Sequence, residues 1–118
     1  MEKSFAKQFA QDWIEAWNAH DLNQVLSPYA ENFEMSSPRI IDIAGEPSGL
    51  LKGKASVGAY WAIALQRIPE LHFELVTSLV GVNSITLYYK SVRGQLAAEV
   101  FHFGPDLKVV KAFAHYAV

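Results

Sequence analysis

The stretch FAKQFAQDWIEAWNAHDLNQVLSPYAENF, residues 5–33, contributes most to the prediction of the fold. Its large apolar residues recur at spacings of three and four, which is the pattern of one helix face. These residues, with the histidine that ends the pattern, are Phe5, Phe9, Trp13, Ala16, Trp17 and His20. Asp21 and Gln24 then form a capping-box pattern, which predicts a second, short helix. Two tryptophans one turn apart bury a large apolar area, so the first helix needs a broad, curved partner surface.

Four elements are predicted between this first helix and residue 68. A second helix is followed by a short strand, then by a second short strand or an extended arm, and then by a third helix. Pro38 ends the short strand and Pro69 ends the third helix, because proline lacks the backbone N–H that both structures use. The predicted bounds are residues 22–30, 33–36, 39–51 and 55–68.

From residue 72 the apolar period changes to two, which predicts strands. Four strands joined by short loops with turn residues are predicted at residues 72–80, 85–92, 95–103 and 108–118. The whole chain, 1–118, is therefore predicted to be one α+β domain. Three N-terminal helices would pack on a curved, mainly antiparallel sheet, which consists of a short strand pair and a four-stranded meander.

The turns predict which side chains share a face of the sheet. If Arg93-Gly94 is a two-residue turn, Tyr88 lies opposite Glu99 on the face toward the helices. The same count places Ala97, Phe101 and Tyr116 on the Glu99 face, and Tyr89, His102, Phe113 and His115 on the other. One β-bulge would reverse part of this assignment. Neither face is cleanly polar, so we expect a second copy of the chain to cover the outer face, as a homodimer through the sheet.

Composition places the chain among globular proteins and narrows its partners. Apolar residues make up 51% and charged residues 19% of the 118 residues, as in folded domains. The net charge of −2 argues against nucleic acid or an anionic membrane as the main partner. The absence of cysteine excludes disulfides and thiolate chemistry, and four scattered histidines predict no metal site. With no apolar signal core and no membrane-span pattern, we expect a cytoplasmic protein without a cofactor.

Six short motifs carry a resemblance to known proteins. They are Trp17-Asn18-Ala19-His20-Asp21-Leu22, Ser36-Ser37-Pro38, Gly53-Lys54, Tyr60-Trp61, Pro69-Glu70-Leu71-His72-Phe73 and Ala114-His115-Tyr116. With the element order, they resemble the nuclear transport factor 2-like superfamily, and within it the SnoaL-like branch of small bacterial proteins. The resemblance spans nearly the whole chain and implies a cone-shaped α+β fold. It implies no single activity, because the superfamily holds isomerases, cyclases, epoxide hydrolases, dehydratases and non-catalytic binding modules.

The resemblance to the ketosteroid isomerases of this superfamily covers one of three catalytic positions. Those enzymes use a tyrosine on the first helix, a protonated acid on a late strand and a carboxylate base before a proline. Here the three positions hold Trp13, Glu99 and Ser37. The missing groups argue against steroid isomerisation by that mechanism. The polyketide cyclases of the SnoaL-like branch are also similar in fold and rely on an acid/base group in the pocket. The resemblance to them implies Glu99 as the nearest candidate for that group.

Glu99 is the predicted catalytic residue, and His115 is the second acid/base candidate if a bulge turns it toward the pocket. Burial among apolar neighbours such as Phe101 would raise the pKa of Glu99 toward neutrality. The structural alternative is a glutamate that bonds Tyr88 or Lys90, or reaches solvent at the rim, and has no role in chemistry.

The other candidates would bind a ligand without reacting with it. They are Trp13, Trp17, Tyr60, Tyr88, Phe101, Tyr116 and Arg39. The aromatic rings would form the pocket walls, the Tyr88 and Tyr116 hydroxyls would donate hydrogen bonds, and Arg39 would face an anionic group. Core packing of the rings and a solvated loop position for Arg39 are the structural alternatives.

Three functions remain open at this point. The first is an isomerase, cyclase or hydratase-type enzyme that uses general acid/base chemistry on a small apolar metabolite. The second is a non-catalytic carrier or sensor of such a molecule, and the third is a plain homodimerisation module. A second polar group beside Glu99 would favour the enzyme, whereas a Glu99 paired only with Lys90 would favour the carrier.

Overall fold

The computed structural model describes every residue of the chain, 1–118. The helices are α1 (Lys3–Asn18), α2 (Leu22–Leu26), α3 (Pro38–Ala44) and α4 (Lys54–Arg67). The strands are β1 (Tyr29–Ser36), β2 (Leu50–Lys52), β3 (Glu74–Gly81), β4 (Ser84–Lys90), β5 (Leu96–Phe103) and β6 (Val109–Tyr116). The predicted α+β class, with helices packed on a curved, mainly antiparallel sheet, is confirmed.

The strands form one six-stranded sheet in the order β2-β1-β6-β5-β4-β3. Strands β1 and β6 are parallel, and every other neighbouring pair is antiparallel. The predicted meander of the last four strands is therefore confirmed. The core consists of 26 buried residues in one cluster, which lies between the helices and one face of the sheet.

Helix α1 forms as its apolar spacing predicts and crosses the sheet with its aromatic face inward. Phe9 meets Phe101 on β5 edge-on, with ring centroids 4.9 Å apart. Trp17 meets Trp61 of α4 at 5.3 Å, so the two long helices share one aromatic layer. The side chain of Asp21 accepts a hydrogen bond from the N–H of Gln24 at 3.2 Å, which confirms the predicted cap of α2.

The segment after β1 is a helix, α3, and not the strand or extended arm that its isoleucines predicted. Ser37 caps this helix by accepting a hydrogen bond from the Arg39 N–H at 3.2 Å, and Pro38 occupies the first turn. Gly45 ends it in the left-handed region, with φ of 72°. The chain therefore has four helices and not the three that were predicted. The β propensity of the isoleucines is a weak signal, and the capping residues at both ends of α3 outweigh it. The partner of β1 is β2 instead.

The register of β4 on β5 differs by one residue from the predicted register. Residues Val92–Gly94 form a three-residue 3-10 turn, so Leu87 lies opposite Glu99. A shift of one residue exchanges the two faces of a strand. Tyr89 therefore faces the helices and is buried, whereas Tyr88 lies on the outer face. The prediction had these two tyrosines reversed.

The outer face of the sheet carries apolar side chains that the helices of this chain do not cover. Leu79 on β3 is 55% exposed, and Tyr88, Val100 and Phe113 are half-buried. The ring of His102 meets Phe113 edge-on at 5.7 Å on this face. The face is thus apolar at its centre, with polar groups around it.

Candidate functional site

Glu99 lies in the middle of β5 on the helix-covered face, as predicted. It is flanked by Leu87 on β4 and Ala114 on β6, and only 4% of it is exposed. Ala97 and Phe101, two residues to either side, are buried as well. The fold therefore holds a carboxyl group among apolar neighbours, where its charged form is poorly solvated.

Tyr89 provides the hydrogen bond that this carboxyl receives from the protein. Its O–H donates to Oε1 of Glu99 across 3.3 Å. Burial raises the pKa of Glu99 to about 8, and the Tyr89 hydrogen bond opposes part of that rise. At neutral pH, Glu99 is mainly a neutral acid with an ionised minority, so it can both donate and accept a proton.

A narrow cavity of about 40 Å³ lies beside Glu99, between the sheet and the helices. This volume has room for only a few water molecules. Its lining residues are Trp13, Trp17, Met35, Ser37, Arg39, Ile43, Tyr60, Trp61, Ala64, Ile68, Leu71, Phe73, Tyr89, Glu99 and Tyr116. The walls are mostly apolar, and a few polar groups converge on the space that they enclose.

The cavity brings together six of the residues that the sequence analysis selected. These are Trp13, Trp17, Arg39, Tyr60, Glu99 and Tyr116. Their roles in binding or catalysis stay predictions. Phe101 faces the same side but does not line the cavity, because it packs against Phe9 and Trp13 at 4.9 and 5.6 Å.

Two predicted site residues lie elsewhere. Tyr88 is on the outer face, because of the register of β4. His115 is exposed on the same outer face, opposite Ala98 on β5. The irregularity between β5 and β6 falls at His102 and Phe103 and leaves His115 pointing outward. The predicted pocket position of Tyr88 is therefore wrong. For His115 the strand count is confirmed, and the bulge that would have made it the second acid/base group of the pocket is absent at that position.

The phenols of Tyr60 and Tyr116 add two hydroxyl groups to the cavity wall. Burial raises the pKa of both, and an ionised Glu99 raises them further. The nearby Ser37 hydroxyl and the Arg39 guanidinium lower both pKa values in part. Both phenols thus stay protonated at neutral pH and can donate a hydrogen bond to an oxygen atom in the cavity.

The two tryptophans of α1 have different polar environments. Nε1 of Trp13 donates to the hydroxyl of Tyr29 at 3.1 Å, deep in the core. Nε1 of Trp17 is buried without any hydrogen-bond partner in the protein. Trp17 is also one of the residues that line the cavity, and an unpaired indole N–H in a protein interior is uncommon.

Arg39 lies at the mouth of the cavity, in the first turn of α3. Its Nη2 donates to Oε1 of Gln95 at 2.8 Å, and its Cζ lies 4.2 Å from the centre of the Tyr116 ring. An open depression of about 550 Å³ lies on the solvent side of this mouth. The depression and the cavity share three residues, Arg39, Ile43 and Ile68, which form the wall between them.

A larger open groove, of about 650 Å³, runs along α1 and α2. Its charged residues are Asp12, Glu15, Asp21 and Lys108, all of which are exposed. None of the buried tyrosines around Glu99 lines it. The small cavity, in contrast, is lined by the buried carboxyl of Glu99. We therefore assign the candidate site to the small cavity.

The sequence analysis missed Tyr89, although a signal for it is present. Ile85, Leu87 and Tyr89 alternate with Thr86 and two further residues, and the first set is the more apolar. That alternation places Tyr89 inward, in agreement with the structure. The assumed two-residue turn outweighed this signal.

Neither a metal site nor a membrane segment is found in the structure. Three or more His, Asp or Glu side chains nowhere come together in an arrangement that could hold a metal ion. No helix has the length and apolar character that crossing a membrane requires.

His20, at the end of α1, has its Nε2 2.9 Å from the carbonyl oxygen of Leu71.

Comparisons with known proteins agree with this architecture. Residues 10–111 match the SnoaL-like domain. The chain is 61% identical to a SnoaL-like protein of unknown function from Burkholderia thailandensis E264. That alignment covers 99% of this chain and 98% of the other, with a TM-score of 0.96. The search of curated proteins found no match.

Two more distant structures share the fold. A protein of the SnoaL-like family from Agrobacterium tumefaciens str. C58, proposed to be an isomerase, is 16% identical, with coverage of 96% and 97% and a TM-score of 0.75. SalBIII, an epoxide hydrolase/cyclase-like enzyme in pyran ring formation in the polyether salinomycin, is 14% identical, with coverage of 99% and 94% and a TM-score of 0.73. From the domain match and the 61% identical relative, the chain belongs to the SnoaL-like family.

Proposed function

We propose that this protein carries out general acid/base chemistry on a small, largely apolar molecule, with Glu99 as the group that moves the proton. The observation that supports this most is the buried Glu99 carboxyl, whose pKa is about 8 and which Tyr89 contacts at 3.3 Å. An acid with a pKa near neutrality gives up and takes back a proton at small free-energy cost. Isomerisation, cyclisation and hydration are the reaction types that need this group.

The hydrogen-bond partners of Glu99 favour an enzyme over a carrier. Tyr89 is the second polar group that acid/base chemistry calls for. Lys90, the structural alternative, does not reach Glu99 and instead lies 3.8 Å from Glu74 at the surface. Tyr60 and Tyr116 would donate hydrogen bonds to the substrate oxygen on which charge develops.

The proposed mechanism uses one carboxyl in two steps. Neutral Glu99 would protonate a carbonyl oxygen of the substrate, and the Tyr89 O–H would stabilise the carboxylate that forms. This carboxylate would then withdraw a proton from the neighbouring carbon, which yields the enol and restores neutral Glu99. The ketosteroid isomerase arrangement is not reproduced, since Trp13 donates to Tyr29 and Ser37 caps α3.

The relatives are consistent with this range of reactions. One of the structural neighbours is proposed to be an isomerase, and another is epoxide hydrolase/cyclase-like. At 16% and 14% identity these neighbours establish the fold alone. The reaction type proposed for this chain therefore rests on Glu99 and Tyr89.

A non-catalytic carrier or sensor is the second candidate. The cavity contains a single carboxyl group and no histidine, and 12 of its 15 lining residues are hydrophobic. In a carrier, the aromatic walls would supply the affinity, and Glu99 would orient the ligand through one hydrogen bond.

The outer face of the sheet supports a homodimer in either case. Val100 and Phe113 lie on its central strands, Leu79 adds an exposed apolar side chain on the edge strand β3, and no helix of this chain packs on it. Two copies packed face to face would bury this surface twice, because a two-fold interface uses the same patch of both chains. A chain whose cavity admits no ligand would be a dimerisation module alone.

Proton exchange tests the three functions against each other. Wild type, Glu99→Gln and Glu74→Gln would be incubated in D2O with a panel of small cyclic ketones. Deuterium uptake next to the carbonyl and ligand binding would both be followed by NMR. An enzyme would exchange the proton, and Glu99→Gln would lower the rate by on the order of 100-fold or more while binding persists. The Glu74→Gln variant, at an exposed glutamate, would exchange like wild type.

The other outcomes identify the alternatives. If wild type binds a ketone but exchanges its protons no faster than Glu99→Gln does, catalysis is contradicted and the carrier is favoured. No saturable binding of any ketone would favour the dimerisation module.

A further inference from the structure

We propose that the molecule bound beside Glu99 carries a carboxylate, and that Arg39 binds this group at the mouth of the cavity. The inference rests on the proposed function, because it names the class of substrate for the same site. An oxo acid with a compact apolar body, such as a small ring, is the class that fits.

Arg39 is a half-buried cation whose contacts in the protein are with neutral groups. Its guanidinium donates to the Gln95 amide oxygen at 2.8 Å and lies over the Tyr116 ring at 4.2 Å. The ion pairs of the chain are Lys90–Glu74 and Arg93–Glu70, and Arg39 takes part in neither. A guanidinium has five N–H donors and binds a carboxylate through two of them. Arg39 therefore has donors left for an anion.

The charges around the mouth point to the same ligand. Arg93 also lines the outer depression, but Glu70 pairs with it at 3.3 Å. Asp42 lies one turn after Arg39 on α3 and is exposed, where solvent and salt screen its charge. The uncompensated charge nearest the cavity is the guanidinium of Arg39.

The path from Arg39 to Glu99 sets the shape of the ligand. Tyr116 is near both, because its ring contacts the guanidinium and it lies on β6 two residues beyond Ala114, the partner of Glu99. All three side chains line the same cavity. A carboxylate at the mouth would thus leave the opposite end of the molecule, with its carbonyl oxygen, near Glu99. Its apolar body would lie against Ile43 and Ile68, the apolar residues that line both the cavity and the depression.

The closed cavity, of about 40 Å³, is smaller than such a molecule, so the mouth must open for it. Arg39 is held there by a single hydrogen bond to the neutral Gln95 side chain. A carboxylate forms a stronger, charge-assisted pair with a guanidinium than an amide does. The ligand would therefore displace Gln95 from Arg39. The Arg39 side chain would close the mouth of the empty cavity and would bind the carboxylate when the ligand enters.

A matched pair of probes tests the inference. They are 4-oxocyclohexanecarboxylate and its methyl ester, which differ in charge and share the ring and the ketone. Affinities for wild type, Arg39→Gln, Arg93→Gln and Glu99→Gln would be measured at low salt by NMR titration, with the indole N–H signal of Trp17 as reporter. Arg93→Gln is the control, because it removes a positive charge from the same depression.

We expect wild type and Arg93→Gln to bind the carboxylate about 10-fold or more tightly than the ester. Arg39→Gln would bind both probes about equally, and Arg39→Lys would recover part of the preference. Gln95→Ala, which removes the competing partner of Arg39 and not the site itself, would bind the carboxylate at least as well as wild type. This variant keeps the test decisive if Arg39→Gln does not fold.

Several results would overturn the anion site. They are equal binding of the two probes by wild type, a preserved preference in Arg39→Gln, an equal loss in Arg93→Gln, or a loss in Gln95→Ala. Deuterium exchange on the same samples separates this failure from that of the proposed function. Exchange without a preference for the carboxylate overturns the inference alone. A preference for the carboxylate that is lost only in Arg39→Gln, with exchange in wild type no faster than in Glu99→Gln, overturns the acid/base function and leaves the anion site.

Discussion

The hydroxyl of Tyr89 donates to Oε1 of Glu99 across 3.3 Å, from one strand to its antiparallel neighbour. The two residues are diagonal neighbours on the helix-covered face, since Tyr89 lies opposite Ala97 and Glu99 lies opposite Leu87. Long side chains bridge this diagonal, whereas short ones do not. The contact makes Glu99 part of a polar pair within an otherwise apolar wall. Four measurable consequences follow from the structure, and the first two concern this pair.

The first consequence is the titration of Glu99. Carboxyl NMR of the wild type, with Glu99→Gln for assignment, should give a pKa of about 8, because burial disfavours the charged form. Tyr89→Phe should raise the pKa further, since it removes a hydrogen bond that stabilises the carboxylate. Tyr88→Phe, on the outer face, should leave the pKa unchanged. A value near 4.5, the ordinary pKa of the group, would contradict the assignment.

The second consequence is a loss of stability with rising pH. The folded protein keeps the Glu99 proton up to a pH of about 8, whereas the unfolded chain loses it near 4.5. Between these values the folded state binds more protons, so this group makes the free energy of unfolding fall as pH rises. The total loss in the free energy of unfolding is about 5 kcal/mol at most. The loss is complete above pH 8 and absent below pH 4.5.

Urea unfolding at several pH values between 5 and 9 would measure this effect. Wild type should lose stability relative to Glu99→Gln across that range, because the glutamine cannot ionise. Parallel stability curves for the two proteins would contradict the predicted linkage.

The third consequence concerns the two tryptophans of α1. Trp13→Phe removes the donor that bonds the buried Tyr29 hydroxyl and should destabilise the protein by about 1–3 kcal/mol beyond the loss of packing. Trp17→Phe is the matched control, because the Trp17 N–H has no partner to lose. Chemical denaturation of both variants should show the larger loss for Trp13→Phe. Equal losses would mean that the bond to Tyr29 contributes nothing.

The fourth consequence concerns the outer face of the sheet. Phe113→Glu places a charge at the centre of the apolar patch and should convert a dimer into a monomer, because a buried unpaired charge is strongly unfavourable. Light scattering coupled to size exclusion would measure the mass. Ile63→Glu, at an exposed apolar residue on α4, is the control and should stay dimeric. A monomeric wild type would rule out the proposed dimer.

The elements that local sequence determines were predicted well. The spacing of Phe9, Trp13 and Trp17 predicted α1, and the Asp21 cap predicted the start of α2. Helix α3 was missed because the capping residues Ser37 and Pro38 specify a helix more strongly than the isoleucines specify a strand. Such caps are local signals, so this error lay in the weighing of signals that the sequence contains.

The candidate site was only partly predictable. Glu99 was correctly placed facing the helices, since the side chains of β5 alternate and the carboxyl shares a face with Ala97 and Phe101. Its partner was not, because the identity of the contacting tyrosine depends on a three-residue turn that shifts β4 by one position. A register shift of one residue is hardly visible in the sequence pattern, but it exchanges the inward and outward side chains along the whole of β4.

The sequence by itself determined α1, the start of α2, α4, the last four strands and a carboxyl group on the buried face, because periodicity and caps act over one or two turns of chain. Only the tertiary structure decided that Tyr89 bonds Glu99, that His115 faces outward and that Arg39 rests on Tyr116 and Gln95. The Arg39 contacts join residues more than 50 positions apart in the chain, and the other two features depend on how neighbouring strands align. Their geometry follows from strand register and helix packing, which depend on the whole core at once.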